Sequence, residues 1–335
     1  MKNLKFVFLS MIAGILIGTL GYFIDISPEN DSGTTSTEEL TEELKECNET
    51  VLDKFDYTPN LPSEDGKIKA VVVIGASGFD GFIIKIDKDK NWESKKAYWG
   101  KESEIWDGNA SSKEIMKGFR NFLRTIAKDG KEFGAKNLDT RVQLIVSSGA
   151  SKANTTTSKI VKALLKNKWT PTRISAQEEA EYGFIVSVPK EYRDDSFFVD
   201  IGSGNTKIAW MEDDKLKTAE GPGAKAYKIP KSKEEVYDDI KNLFENVPED
   251  LRERAFIIGG VPYKLAKKVK NDDEEYSTLL RPCQYDIQDF KEKNREKMEY
   301  GLKIYEGIKD GTETELYIFP WHSNFGIGFL INQRY

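Results

Sequence analysis

The sequence predicts a two-lobed α/β protein carried behind an apolar N-terminal segment. Three observations predict it. A strand, a Gly/Ser-rich turn and an immediate second strand occur twice, at 68–86 and again at 197–211. Each pair opens a series of alternating strand and helix patterns. The first strand of each pair is a continuous apolar run, the pattern of a strand covered on both faces.

Composition narrows the chemistry. Of the 335 residues, 32% are charged and 39% hydrophobic, which excludes a polytopic membrane protein and wholesale disorder. Fifty basic and 56 acidic residues are mixed along the chain for a net charge of -6, so a basic field for nucleic acid is absent. One histidine, His322, and two cysteines, Cys47 and Cys283, exclude a zinc site, a Ser-His-Asp triad and a disulfide-rich scaffold. Chemistry must run on carboxylates, hydroxyls, lysines and backbone amides.

The elements follow in order. Lys2 and Lys5 precede an uncharged run at 6–24 that ends at Asp25. Nineteen residues span about 28 Å as a helix, close to a bilayer's hydrocarbon thickness. A cleaved signal peptide and a single membrane anchor compete. The length and the lack of an Ala-x-Ala site favour the anchor, with the N-terminus cytoplasmic and everything from Asp25 outside. Residues 1–25 are therefore read as anchor or signal. Residues 26–66 are Ser/Thr/Glu-rich and read as a stalk. A short helix interrupts it, with Ser36 and Glu39 at capping-box spacing and Leu40, Leu44, Cys47 and Val51 on one stripe. Cys47 is then a small buried hydrophobe or, outside the cytoplasm, a disulfide partner for Cys283.

The first lobe is expected at 67–180 plus 312–335, and the second at 181–311. Ala70, Val71, Val72, Val73 and Ile74 form the first strand, and 75–81 the open turn. Ile115, Phe119, Phe122, Leu123 and Ile126 mark a helix, 142–146 a strand, 155–166 a helix, and Gln177-Glu178-Glu179 the start of another. In the second block, Phe197–Val199 lead through Asp200-Ile201-Gly202-Ser203-Gly204-Asn205-Thr206 into a strand. Helices at 233–246, from Pro262 and at 286–308 follow, and 316–319 and 325–331 read as strands. Two small-residue turns can approach one polyanion from opposite sides and donate amides to its phosphate oxygens, with the cleft between the lobes as the ligand site. The simpler reading of either turn alone is a tight hairpin.

The residues Arg173-Ile174-Ser175-Ala176-Gln177-Glu178-Glu179-Ala180-Glu181-Tyr182-Gly183-Phe184, followed by Asp200-Ile201-Gly202-Ser203-Gly204-Asn205-Thr206, resemble the exopolyphosphatase/guanosine pentaphosphate phosphohydrolase family. They are also similar to the ecto-apyrases. Ser148 lies in a stretch, 146–152, that sits where the family has a Thr-rich turn; Ile258-Gly259-Gly260 and Gly326-Ile327-Gly328-Phe329 sit at its later glycine motifs. The resemblance implies the two-lobed actin-like ATPase (ribonuclease H-like) fold, from about Ile68 to the C-terminus.

It also implies a membrane-anchored phosphoanhydride hydrolase acting on polyphosphate, nucleotides or another phosphorylated small molecule. Glu179, paired with Glu178, would assist the attacking water, and Asp200 would position a metal, Mg²⁺ or Ca²⁺. Ser77, Gly78, Ser148, Gly202, Ser203, Gly204 and Thr206 would hold phosphate. A homodimer is a further expectation. The chain departs from the family at three places. Val73-Ile74-Gly75-Ala76 lacks the first-loop Asp, with Asp80 further round the turn; Lys207 stands where a Glu is usual; Ala176 replaces a Gly. A second reading follows: a catalytically degenerate phosphate- or nucleotide-binding protein, or a scaffold of the cell envelope.

Read without the resemblance, Glu178 and Glu179 complement a helix dipole. Asp200 ends a buried strand, where an acid is costly without a partner. Lys207 is a solvated strand residue or stands in for a metal's charge. Lys264, Lys267, Lys268 and Lys270 form a solvated helix face, and His322 a packing or surface residue.

Overall fold

The computed structural model describes residues 54–75, 79–100, 111–135, 142–153, 155–271 and 273–333. The anchor segment at 6–24, the short helix at 36–51 and the phosphate candidates Ser77 and Gly78 lie outside them. Among the described residues no helix is long and apolar enough to cross a membrane.

Two sheets organise the chain. The first joins β1 (Lys67–Ile74), β2 (Phe79–Ile86), β3 (Trp92–Gly100), β4 (Gln143–Val146) and β5 (Thr172–Arg173) in the order β3-β2-β1-β4-β5. The second joins β6 (Ser196–Ile201), β7 (Asn205–Glu212), β8 (Lys215–Pro222), β9 (Arg254–Gly259), β10 (Tyr276–Thr278) and β11 (Leu316–Pro320) in the order β10-β11-β9-β6-β7-β8. The shared plan is an antiparallel meander followed by parallel strands: β1 pairs antiparallel with β2 and parallel with β4, and β6 does the same with β7 and β9. The duplication legible in the turns is a duplication of topology. Of the stretch 312–335, β11 belongs to the second sheet and the segment after it to the first lobe.

The helices form where caps and apolar stripes coincide. Helix α1 (Ser112–Glu132) starts at a capping box between Ser111 and Glu114 and turns Ile115, Phe119, Leu123 and Ile126 onto the first sheet. Helices α2 (Ser148–Ala153) and α3 (Thr155–Lys166) complete that unit, α4 (Ala176–Ser187) packs against the cores of both, and α5 (Lys233–Phe244), α6 (Pro262–Val269) and α7 (Glu292–Thr312) serve the second.

The run 325–331, read from sequence as a strand, is instead helix α8 (Phe325–Asn332). It is apolar all round, so periodicity carries no signal. Close approach decides it. A side chain at Gly328 would meet the Tyr182 carbonyl oxygen at 2.0 Å, and one at Gly326 would meet Val73 at 2.5 Å. Asn324 caps its start by accepting from the Gly326 N–H at 2.8 Å, and Lys90 Nζ donates to the carbonyls of Ile331 and Gln333, each at 2.6 Å.

The last part of the segment read as a stalk is packed rather than free. Phe55 is buried against Tyr192, Phe256 and Tyr276 in edge-on ring contacts, and its N–H donates to Thr278 Oγ1 at 3.1 Å. The Ser63 N–H donates to Asp87 Oδ2 in the first lobe at 3.1 Å. Residues 54–66 therefore run from the second sheet to the first. Aromatic burial of this kind outweighs the polar composition around it.

Helix α4 carries the site. Gly183 lets it lie on the second sheet, because a side chain there would overlap the Phe198 ring at 2.2 Å. Its other side packs on α8 of the first lobe. One turn before Gly183, Glu179 is thereby delivered to the β6–β7 hairpin.

Candidate functional site

Strand register builds the centre of the site. In the antiparallel β6–β7 pair Asp200 stands directly opposite Lys207, so the two side chains share a face. Lys207 Nζ lies 2.8 Å from Asp200 Oδ2 and 2.8 Å from Glu179 Oε2. All of them are withdrawn from water: Glu179 is 1%, Lys207 4% and Asp200 7% exposed. Glu179 also accepts the Ser148 backbone N–H at Oε1 and the Ser148 hydroxyl at Oε2, the latter at 3.0 Å. Ser148 Oγ in turn accepts Asn205 Nδ2 at 3.2 Å, and the same amide donates to Glu220 Oε1 at 2.8 Å. A hydrogen-bonded chain thus links α2 of the first lobe, α4 and the hairpin of the second.

One ammonium shared by two carboxylates leaves this centre with a net negative charge. Burial pushes the Glu179 carboxyl above its ordinary range, and Lys207 and the Ser148 N–H only partly oppose it. Burial alone would lower Lys207, but Asp200 and Glu179 overcome it and hold the ammonium well above the usual lysine range. Lys207 is therefore permanently charged, and Glu179 carries the strained negative charge.

Glycine turns close around this centre. At Gly259 φ is +114°, and a side chain there would meet the Ile201 carbonyl oxygen at 2.4 Å and Asp200 Oδ1 at 2.8 Å. A side chain at Gly223 would meet the Asn205 backbone nitrogen at 2.3 Å, and Ala224 and Lys225 donate backbone N–H groups to the carbonyls of Gly202 and Ser203. The Ser203 and Gly204 amides, by contrast, meet no acceptor among the described residues and are left to solvent. Gly204 approaches α2 closely: a side chain there would sit 3.4 Å from the Gly149 Cα.

The sequence candidates separate accordingly. Glu179, Asp200, Ser148, Gly202, Ser203 and Gly204 come together. Glu178 does not: its carboxylate accepts the Ser175 N–H and hydroxyl, each at 2.8 Å, and serves as the helix cap. Thr206 does not either. Strand alternation turns it away from Asn205 and Lys207, and its hydroxyl donates to the Pro222 carbonyl at 2.7 Å. Asp80 stands opposite Val73 in the β1–β2 register, and burial pushes its carboxyl up to about 7. His322 is half exposed and pairs with Glu275 at 3.4 Å. Sequence reading gave no role to Asn205, although it stands in the turn motif beside Gly204, and missed Glu220, which no local signal marks.

The donor set does not fit the divalent ion that the resemblance implies. Both carboxylates that would hold it already bind the Lys207 ammonium at 2.8 Å. A divalent ion there would have to take these oxygens from the ammonium and sit beside its fixed charge, which repels it. Among the described residues no group of His, Cys, Asp or Glu offers another set of metal ligands.

No known family model matches the chain, and no curated protein matches it significantly. Solved structures do. The Aquifex aeolicus member of the Ppx/GppA protein family is 14% identical, with a TM-score of 0.57 over 79% of this chain and 96% of that one. An exopolyphosphatase from Cytophaga hutchinsonii is also 14% identical, with a TM-score of 0.55 over 78% and 96% of the two chains. An exopolyphosphatase-like protein is 11% identical, with a TM-score of 0.56 over 80% and 98%. At this identity the likeness is one of fold. The chain has the two-lobed actin-like ATPase fold in the form seen in the Ppx/GppA proteins.

Proposed function

We propose that the chain is a phosphoanhydride hydrolase of exopolyphosphatase type that uses Lys207 where such sites use a metal ion. The observation that supports this most is the buried Lys207 ammonium held between Glu179 and Asp200 beside two unengaged amides. The terminal phosphate of the substrate lies on the Ser203 and Gly204 amides, with Lys207 supplying fixed positive charge. Water attacks the phosphorus in line with the bridging oxygen. Its proton passes to Glu179, the P–O bridge breaks, and the leaving phosphate takes the electron pair. Glu179 is sealed by Ser148, so it receives a proton only when the contact between Ser148 and Asn205 opens. Asp200 touches neither water nor phosphate and positions Lys207.

The test is phosphate release from tripolyphosphate or ATP by the full-length protein in detergent, in EDTA. Release that survives EDTA and is lost in Glu179→Gln supports the reading. No release under any condition removes it.

The sealing of Glu179 favours a second reading, binding without turnover. Calorimetry that shows binding of the same ligands, together with no release, would select it. We also infer that the lobes lie outside the cytoplasm behind a membrane anchor at 6–24. In support, Cys283 is disulfide-bonded, and such bonds persist in oxidising compartments. Alkaline phosphatase fused after Tyr335 should be active, and a reporter restricted to the cytoplasm dark; the reverse would place the lobes in the cytosol.

A further inference from the structure

Charge that nearly balances over the whole chain does not balance over its surface. Helix α1 carries six basic residues and the run 155–168, which holds α3, carries four, against three acidic residues in the two together. At about 100° per residue, Lys113, Lys117, Arg120, Arg124, Lys128 and Lys131 fall within about 80° of arc on α1, opposite its apolar stripe. All six are exposed, as are Lys162, Lys166 and Lys168 on and just after α3. The three acids do little to offset them. Asp129 is buried on Lys96 and Tyr98, Glu114 is engaged in the Ser111 cap, and Glu132 lies 3.9 Å from Lys128.

The two helices cover the outer face of the first sheet. Val72 and Ile74 of β1 pack with them, whereas Val71 and Val73, on the other face, pack with α4 and α8. The basic face is therefore on the far side of that sheet from Glu179. Apolar groups interrupt it. Leu165 is 52% exposed, and Trp169 packs edge-on against Phe119 at 5.6 Å. Trp169 also lines a cavity of about 260 Å³, with Leu123, Ala127 and Val142 as apolar walls and the exposed Arg120 and Arg124 beside them. Arg120 is held there by donating to Asn167 Oδ1 at 3.0 Å, which ties α1 to the turn after α3.

We propose that this face docks on the anionic surface of a lipid bilayer, with α1 and α3 lying against the headgroups. Each lysine or arginine near such a surface adds its own attraction, and exposed Leu and Trp side chains reach the apolar boundary beneath. The cavity suits one anionic headgroup, its oxygens on two guanidinium groups and its stem against apolar walls. A plane fits better than a polymer. A bilayer meets this face alone, whereas a long nucleic acid would also meet the rest of the chain, which is net acidic, and offers nothing to Leu165. The face stands independently of the hydrolase reading and of the anchor at 6–24.

The experiment is lysine footprinting by an amine-acetylating reagent and mass spectrometry. The full-length protein is diluted out of detergent into vesicles of phosphatidylcholine alone or of equal parts phosphatidylcholine and phosphatidylglycerol. In 0.1 M NaCl the anionic vesicles should protect Lys117, Lys128, Lys162 and Lys166 by at least about 3-fold over the neutral ones. Lys215, exposed on β8 of the second lobe, should be labelled equally in both. In 1 M NaCl, where the Debye length falls from about 10 Å to about 3 Å, the protection should vanish. The neutral vesicles remove any effect of insertion through 6–24.

In the triple variant Lys117→Glu, Arg124→Glu, Lys162→Glu, Lys128 and Lys166 should be labelled equally in the two vesicles. Its folding is checked by the thermal midpoint without lipid, which should not fall; the salt arm on wild type decides by itself where the variant is destabilised. Equal labelling of wild type in neutral and anionic vesicles would overturn the proposal, as would protection that persists in 1 M NaCl. Stronger protection in detergent by duplex DNA or polyglutamate than by the anionic vesicles would also overturn it and assign the face to a polymer.

Discussion

Replacing Lys207 by Met removes the charge on which the centre is built while keeping the length of the side chain. Glu179 and Asp200 would then face each other with their nearest known oxygens no more than about 5.6 Å apart, twice the 2.8 Å leg to Nζ. At an effective dielectric of about 20 that repulsion is about 3 kcal/mol. Removing one partner of a buried ion pair costs about 3–5 kcal/mol in measured cases, which agrees. At about 2–4 °C per kcal/mol for a fold of this size, the thermal midpoint should fall by about 6–20 °C.

The loss has a definite pH dependence. Without the ammonium, one carboxyl has its folded pKa raised above the unfolded value of about 4.3, so the variant loses stability as pH rises from there toward the raised value. In wild type the Lys207 pKa is raised, so its contribution is complete below the unfolded lysine value of about 10.4 and is lost only as pH climbs past it. The deficit of the variant is therefore larger at pH 8 than at pH 5. Circular dichroism melts of both proteins at the two pH values, with EDTA or with 1 mM Mn²⁺, are the assay. Mn²⁺ should restore part of the midpoint in Lys207→Met, whose carboxylates now lack a cation, and leave wild type unmoved. A variant within about 1 kcal/mol of wild type, or a wild type stabilised by Mn²⁺ as strongly as the variant, would refute the idea that Lys207 stands in place of a metal.

Further predictions concern activity, packing and titration. If the protein releases phosphate, Asp200→Asn should slow release by about 10²-fold through the loss of the anchor for Lys207, measured as kcat with KM little changed. Gly328→Ala should displace α8 from Tyr182, cost about 1–3 kcal/mol as overpacking, and lower the melting midpoint. Lys297 has a lowered folded pKa, so its charging penalty is complete below about 8 and gone above the unfolded value of about 10.4. Lys297→Met should accordingly melt above wild type at pH 7, with the gap closing by pH 10.5.

The sequence by itself determined the duplicated strand–turn–strand plan, because apolar runs and small-residue turns are local features that read directly from residue types. It also singled out Asp200, since an acid at the end of a buried strand needs a partner, whereas only the resemblance marks Glu179, which otherwise reads as an acid complementing a helix dipole. Thr206, by contrast, reads from sequence with the phosphate-holding residues, and alternation along β7 turns it to the opposite face from Lys207. Only the tertiary structure decided the rest. The β6–β7 register and the depth to which Gly183 lets α4 approach bring Lys207 between two acids that lie 21 residues apart in sequence. Glu178, next to Glu179, was drawn off to cap a helix. Helix α8 was illegible because an all-apolar run fits either element, and its choice rests on backbone approach at Gly326 and Gly328. Lys297 was invisible for the same reason in another form: a lysine on a charged helix reads as solvated until the fold presses it against Gly260. Electrostatic centres are made of pairwise distances, and distances between remote segments exist only once the chain has folded.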